Sequence, residues 1–154
     1  MLIEIKVKVA KIIDGKARKR METFLIDREF FSEAEYAVTS SLNNELNEGT
    51  VSNFEIQSLR ISPIREIATQ FTGEWSFITT LTDIFLQDDG TEKKIRYKVL
   101  LWANSLTEAN SCVSQLSHQG YDMQVESIKQ VDYEYLTVTS ENTNNEEEHN
   151  SGQE

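Results

Sequence analysis

Apolar residues occupy every second position at the start of the chain. Ile3, Ile5, Val7 and Val9 are separated by Glu4, Lys6 and Lys8. A period of two predicts a strand with one buried face. Asp14-Gly15 interrupts it, and because both residues tolerate positive φ the pair predicts a tight hairpin. A return strand follows through Met21, Thr23 and Leu25, and the period then changes. Ala34, Val38 and Leu42 recur at every fourth position, one face of a helix. Ser32 with Glu35 reads as its capping box, the two side chains accepting free backbone N–H groups of the first turn. Phe54, Ile56 and Leu59 mark a third strand.

The same order recurs. Asp14-Gly15 with Lys16, Arg18 and Lys19 is matched 75 positions later by Asp89-Gly90 with Lys93 and Lys94. The same spacing sets Ser32-Glu33-Ala34 over Thr107-Glu108-Ala109 and Val38 over Val113. Ile56-Gln57-Ser58-Leu59 answers to Val125-Glu126-Ser127-Ile128 after a shorter second loop. Internal repetition of this kind is evidence about the whole fold. In the second copy the first strand runs through Trp75, Phe77 and Leu81, and the second through Ile95, Tyr97, Val99 and Leu101. Thr107 is the expected helix cap, Ala109, Cys112, Val113 and Leu116 the inner face, and Gly120 the terminator. Met123, Val125 and Ile128 close the unit.

These patterns predict an α+β fold, a tandem repeat of two strand–strand–helix–strand units with an antiparallel-rich sheet and helices on one face. The units are expected to pair as one sheet or as facing halves. Residues 1–61 form the first repeat, 62–73 a short helical linker with Pro63 at its first helical position, and 74–136 the second repeat. Residues 137–154 read as a disordered acidic tail, with no apolar residue beyond Val138 to repay the entropy of ordering.

Composition narrows the function classes. The chain has 154 residues, 38% of them hydrophobic, enough for one domain or two small fused ones. A single cysteine, Cys112, makes no internal bridge and suits a reducing, cytoplasmic setting. No apolar run reaches the roughly 18 residues of a membrane-spanning helix, so no membrane partner is expected. The alternating N-terminal segment is not a signal peptide.

Phe24-Leu25-Ile26-Asp27, then Phe31-Ser32-Glu33-Ala34-Glu35 opening the helix, resembles an uncharacterised-domain family of Bacteroidetes and of their crAss-like phages. The spacing to Phe54-Glu55-Ile56 and the stretch from Tyr97 to Ala103 are similar to that family as well. The resemblance covers about residues 3–136. It implies a bacterial cell or a phage-infected host and a role in phage DNA metabolism or the virion. It carries no catalytic residue.

Catalytic and metal chemistry find little support in the residues. His118 and His149 are the two histidines, and no H-x-x-x-H or C-x-x-C spacing offers an N/S metal cage. No G-x-S-x-G, Walker-type or G-x-G-x-x-G loop is present. Cys112 falls on the inner face of its helix, a packing position rather than the exposed electropositive setting of a nucleophile. Asp88-Asp89 serves a hairpin turn. Trp75 and Trp102 read as sheet residues, and Tyr133 and Tyr135 as a last edge strand. No enzyme activity, metal or cofactor is expected.

Charge is more informative. The formal net charge is −11, and removing the six acids of residues 133–154 leaves −5. Of the 15 Lys and Arg residues, seven lie in the first hairpin: Lys6, Lys8, Lys11, Lys16, Arg18, Lys19 and Arg20. Lys93, Lys94, Arg96 and Lys98 occupy the matching place in the second. Glu22 and Glu92 are the acids expected beside these cations. Two basic arms beside aromatic residues suit single-stranded nucleic acid, cations on phosphates and rings under bases. Lysines on an edge strand also keep it from pairing with other chains. The sequence therefore points to a nonenzymatic binding module, a single-stranded nucleic-acid-binding or DNA-metabolism accessory protein. The alternative is a protein-interaction or virion-associated module that holds protein partners through its acidic tail or edge strands.

Overall fold

The computed structural model describes residues 1–136. β1 (Leu2–Ile13) and β2 (Lys16–Asp27) form an antiparallel hairpin, followed by α1 (Phe31–Glu48) and β3 (Val51–Ile61). A short strand, β4 (Ile64–Ala68), comes next. The order then recurs as β5 (Trp75–Leu86), β6 (Glu92–Ala103), α2 (Leu106–Val113), β7 (Asp122–Val131) and β8 (Tyr133–Leu136). The fold is α+β, with two four-stranded sheets ordered β3-β1-β2-β8 and β4-β6-β5-β7.

Each short strand leaves the sheet of the strand before it. β3 borders β1 in the first sheet, whereas β4 pairs in parallel with β6 of the second. β7 borders β5, and β8 pairs in parallel with β2 of the first sheet. The chain thus switches sheets twice, at Ser62-Pro63 and at Asp132, and each half completes the other's sheet. The two sheets share one register shift, but β1–β3 has a second between Ala10 and Lys11 and β4–β6 one between Ile64 and Glu66 that have no counterpart. β1 and β3 are offset by a bulge between Lys6 and Val7, and β5 and β7 by one between Thr80 and Leu81. An extra residue on one strand sharpens its twist and bend.

Strand alternation gives each sheet two different faces. Ile3, Ile5, Val7, Val9, Phe24 and Ile26 pack under Ala34, Val38 and Leu42 of α1. Phe77, Leu81, Val99 and Leu101 pack under Ala109, Cys112 and Val113 of α2. Each fully buried Val, Leu, Ile or Phe among them contributes about 1.5–3 kcal/mol relative to exposure. The opposite faces meet in a third cluster, where Leu25, Ile64 and Leu100 are buried among Ile78, Trp102, Tyr133 and Tyr135. In the return strand β2, Phe24 and Ile26 therefore serve the helix core, Leu25 joins the sheets, and Met21 is exposed.

The two hairpin turns differ in length. Asp14 (φ 53°) and Gly15 (φ 76°) make the two-residue loop expected of Asp-Gly. The second loop has five residues, Gln87 to Thr91, closed by the Gln87 N–H donating to the Thr91 carbonyl and with Gly90 at φ 84°.

Several local expectations are corrected. Residues 62–73 contain β4, not a helix: Pro63 holds Ser62 extended, and Ile64 and Ala68 supply buried strand positions. α1 starts at Phe31 with no side-chain cap, so Ser32 and Glu35 form no capping box. Ser105, not Thr107, caps α2, its hydroxyl accepting from the Glu108 N–H at 3.1 Å. α2 ends at Val113, before Gly120. A Cβ on Gly120 would lie 2.4 Å from the Ile84 carbonyl oxygen, so this glycine permits close packing against β5. The expectation for residues 137–154 lies outside the described residues.

Candidate nucleic-acid interface

The first basic arm is the free end of the β1–β2 hairpin. The two strands pair from Leu2–Asp27 to Ile13–Lys16, but β8 lies beside β2 only from Thr23 to Ile26. Every residue from Ile12 to Met21 is exposed. Pairing and alternation place Lys16, Arg18 and Arg20 on the helix-side face, and Lys6, Lys8 and Lys19 on the other. The arm is therefore cationic on both faces.

Two of its seven cations are neutralised. Glu22, only 9% exposed, takes the Lys11 ammonium at 2.5 Å and faces the Arg20 guanidinium at 3.7 Å. Arg20 also donates to Asp132 at 2.7 Å, pinning the crossover into β8. Among the described residues Lys6, Lys8, Lys16, Arg18 and Lys19 form no ion pair. Glu22 was a visible neighbour in sequence; Asp132 was not, because a sheet crossover brings it there.

The second arm is weaker. Lys93, Lys94 and Arg96 are exposed and Lys98 is half-buried. Arg96 pairs with Glu126 across the sheet at 2.8 Å, and Glu92 accepts from the Tyr121 hydroxyl at 2.6 Å. That hydroxyl's pKa is raised, first by this hydrogen bond. β4 lies beside β6 only from Lys98 to Leu101, so among the described residues the arm's outer edge carries no strand, as in β2.

Aromatic residues do not form one stacking platform beside the arms. Trp75 is exposed, whereas Trp102 is half-buried with its ring centroid 6.4 Å from that of Tyr135 in the cluster between the sheets. Tyr97 lies under the Arg65 guanidinium, 4.7 Å from the ring centroid. Its hydroxyl donates to buried Asp83, and burial pushes its pKa up to about 12.

The remaining candidates behave structurally. Cys112 is buried, and burial raises its thiol pKa. Asp89 accepts from the Thr91 N–H and hydroxyl at the turn, which lowers its pKa. His118 Nδ1 sits 2.8 Å from the Gly120 carbonyl oxygen. Among the described residues no group of three His, Cys, Asp or Glu side chains is placed to hold a metal ion, and no helix is long and apolar enough to cross a membrane.

The geometry is that of an α+β protein with two sheets and exposed basic hairpins. Over residues 1–145 the chain matches the model of the family described as Domain of unknown function (DUF4494), and it belongs to that family. Comparison with curated proteins and with solved structures finds no match.

Proposed function

We propose that the protein is a nonenzymatic binding module of a bacterium or phage, working in the cytoplasm, whose basic arms hold single-stranded nucleic acid. The observation that carries this reading is the exposed hairpin end with cations on both faces, among them Lys16, Arg18 and Lys19, which form no ion pair among the described residues. A single strand is flexible enough to pass around such an arm, and its phosphates reward each unneutralised cation by releasing a counterion. The acids of residues 137–154 compete for the same cations, so deleting them tightens binding. The matched ββαββ order and one shared bulge support a tandem duplication, with the second arm a weaker copy of the first.

A labelled single-stranded oligonucleotide titrated by fluorescence anisotropy tests the reading. Binding is expected at low salt, weakening linearly in log–log form as salt rises. Absence of binding by both the full chain and the tailless chain at low salt overturns it. A protein-interaction module is the second reading, favoured by the open outer edges of β2 and β6.

A further inference from the structure

The edge column that holds β8 is only partly filled. β2 has 12 residues, and β8 covers four of them, Thr23 to Ile26. Among the described residues no strand lies along the outer edge of β2 from Lys16 to Met21, and all six residues are exposed. Their inner edge is fully paired to β1, so the strand is already held extended. It costs little further ordering to accept a neighbour.

We infer that this open edge of β2 is a strand-addition site for an extended acidic peptide from a protein partner. Backbone pairing supplies affinity in such complexes and side chains supply specificity. Here the specificity is electrostatic. Lys16, Arg18 and Lys19 repel a basic strand, including a second copy of β2, and attract a strand bearing carboxylates. The fold already shows the same edge accepting a parallel strand: Tyr133–Leu136 pairs with Thr23–Ile26. An added strand continues that column toward the hairpin end, beyond the point where Arg20 grips Asp132. The corresponding edge of β6 is poorer, since Glu92 adds an acid and Glu126 neutralises Arg96. The inference rests on the open backbone edge and not on the nucleic-acid reading, so the two can fail separately.

The test uses the full chain and an acetylated, amidated octapeptide of alternating glutamate and valine. A matched peptide N-methylated at alternate residues keeps the charge but cannot pair along one edge. The first peptide is expected to bind and to protect amides of Lys16–Met21 from exchange. The second is expected to bind at least about tenfold more weakly. Reversing the exposed charges together, by Lys16→Glu, Arg18→Glu and Lys19→Glu, is expected to abolish peptide binding while leaving the folded far-ultraviolet spectrum unchanged. Equal binding of the two peptides, protection at another edge, or no binding at low salt overturns the inference. Oligonucleotide binding without peptide binding also overturns it, and leaves the nucleic-acid proposal standing.

Discussion

The Tyr97 hydroxyl donates to Asp83 Oδ1 at 3.1 Å, holding a carboxylate that is only 1% exposed on the α2 side of the second sheet. Asp83 Oδ2 takes a second, longer bond from the Gln119 N–H at 3.4 Å. In the first sheet the position matching Tyr97, beside the bulge and paired with Val7, is Glu22. Glu22 collects Lys11 and Arg20 instead. One slot is thus polar in both halves, neutral and tethering the α2–β7 loop in one, ionic and bracing the basic arm in the other.

Tyr97→Phe removes a donor from a buried acceptor, which costs about 1–3 kcal/mol. Denaturant unfolding at neutral pH is expected to show that loss, with the loop around Gln119 exchanging faster. The pH dependence has a definite sign. Folding raises this phenol's pKa to about 12 from 10, so its contribution is complete below pH 10 and disappears as pH rises toward 12. The gap between wild type and Tyr97→Phe should close over that window. A constant gap would refute the assignment.

Glu134 presents the reverse case. Glu134 is exposed on β8, but partial desolvation first, then the Glu22 charge, raises its pKa, while Lys11 opposes the shift. A carboxylate raised in the folded state is a liability above that folded pKa, relieved as pH falls through it. Glu134→Gln is therefore expected to raise the melting temperature at pH 7, the advantage shrinking as acid protonates wild type. A lower melting temperature at pH 7 would show that the charge is useful where it stands.

Gly73 touches the end of β6. A Cβ there would lie 2.3 Å from the Ala103 carbonyl carbon, whereas a Cβ on Gly15 meets nothing within 4 Å. Gly73→Ala must push backbone apart and is expected to cost about 1–3 kcal/mol. Gly15→Ala faces only its φ of 76°, roughly 1–2 kcal/mol. Thermal melts of both variants check the expectation that Gly73→Ala is destabilising despite its minimal change. A neutral Gly73→Ala would refute it.

Much of the local structure was legible because it is written in periods. Ile3 to Val9, Ala34-Val38-Leu42 and Asp14-Gly15 each announce an element within a few residues, and each stands where its pattern put it. The two short strands were not legible as sheet partners. Ile64–Ala68 and Tyr133–Leu136 are too brief to show a period, and their parallel partners lie far away in sequence. The caps failed for a related reason: Ser32 and Ser105 are both plausible by type, and only backbone geometry chooses. For the arms, the clustering of charge was readable, but Asp132 and Glu126 reach Arg20 and Arg96 only through sheet assembly.

That distinction between paired and unpaired cations yields the sharpest test of the arm. Arg18 is exposed and forms no ion pair among the described residues, whereas Arg20 is shared between Glu22 and Asp132. If the arm binds phosphates, Arg18→Ala is expected to flatten the salt dependence of single-strand binding by roughly 0.7 in log–log slope, one lost contact. It should leave stability within about 0.5 kcal/mol, as for an ordinary surface change. Arg20→Ala is expected to do the opposite. Its charge is largely spent internally, so the salt slope should change less. The crossover at Asp132 loses a partner and Glu22 one of two, so unfolding should become easier by about 0.5–1 kcal/mol, the range of exposed ion pairs. Oligonucleotide titrations at several salt concentrations, set beside denaturant melts of both variants, separate the two roles. If Arg20→Ala flattened the slope as much as Arg18→Ala without loss of stability, its ion pairs would not hold it in solution, and Arg20 would have to be counted with the five unpaired cations of the arm.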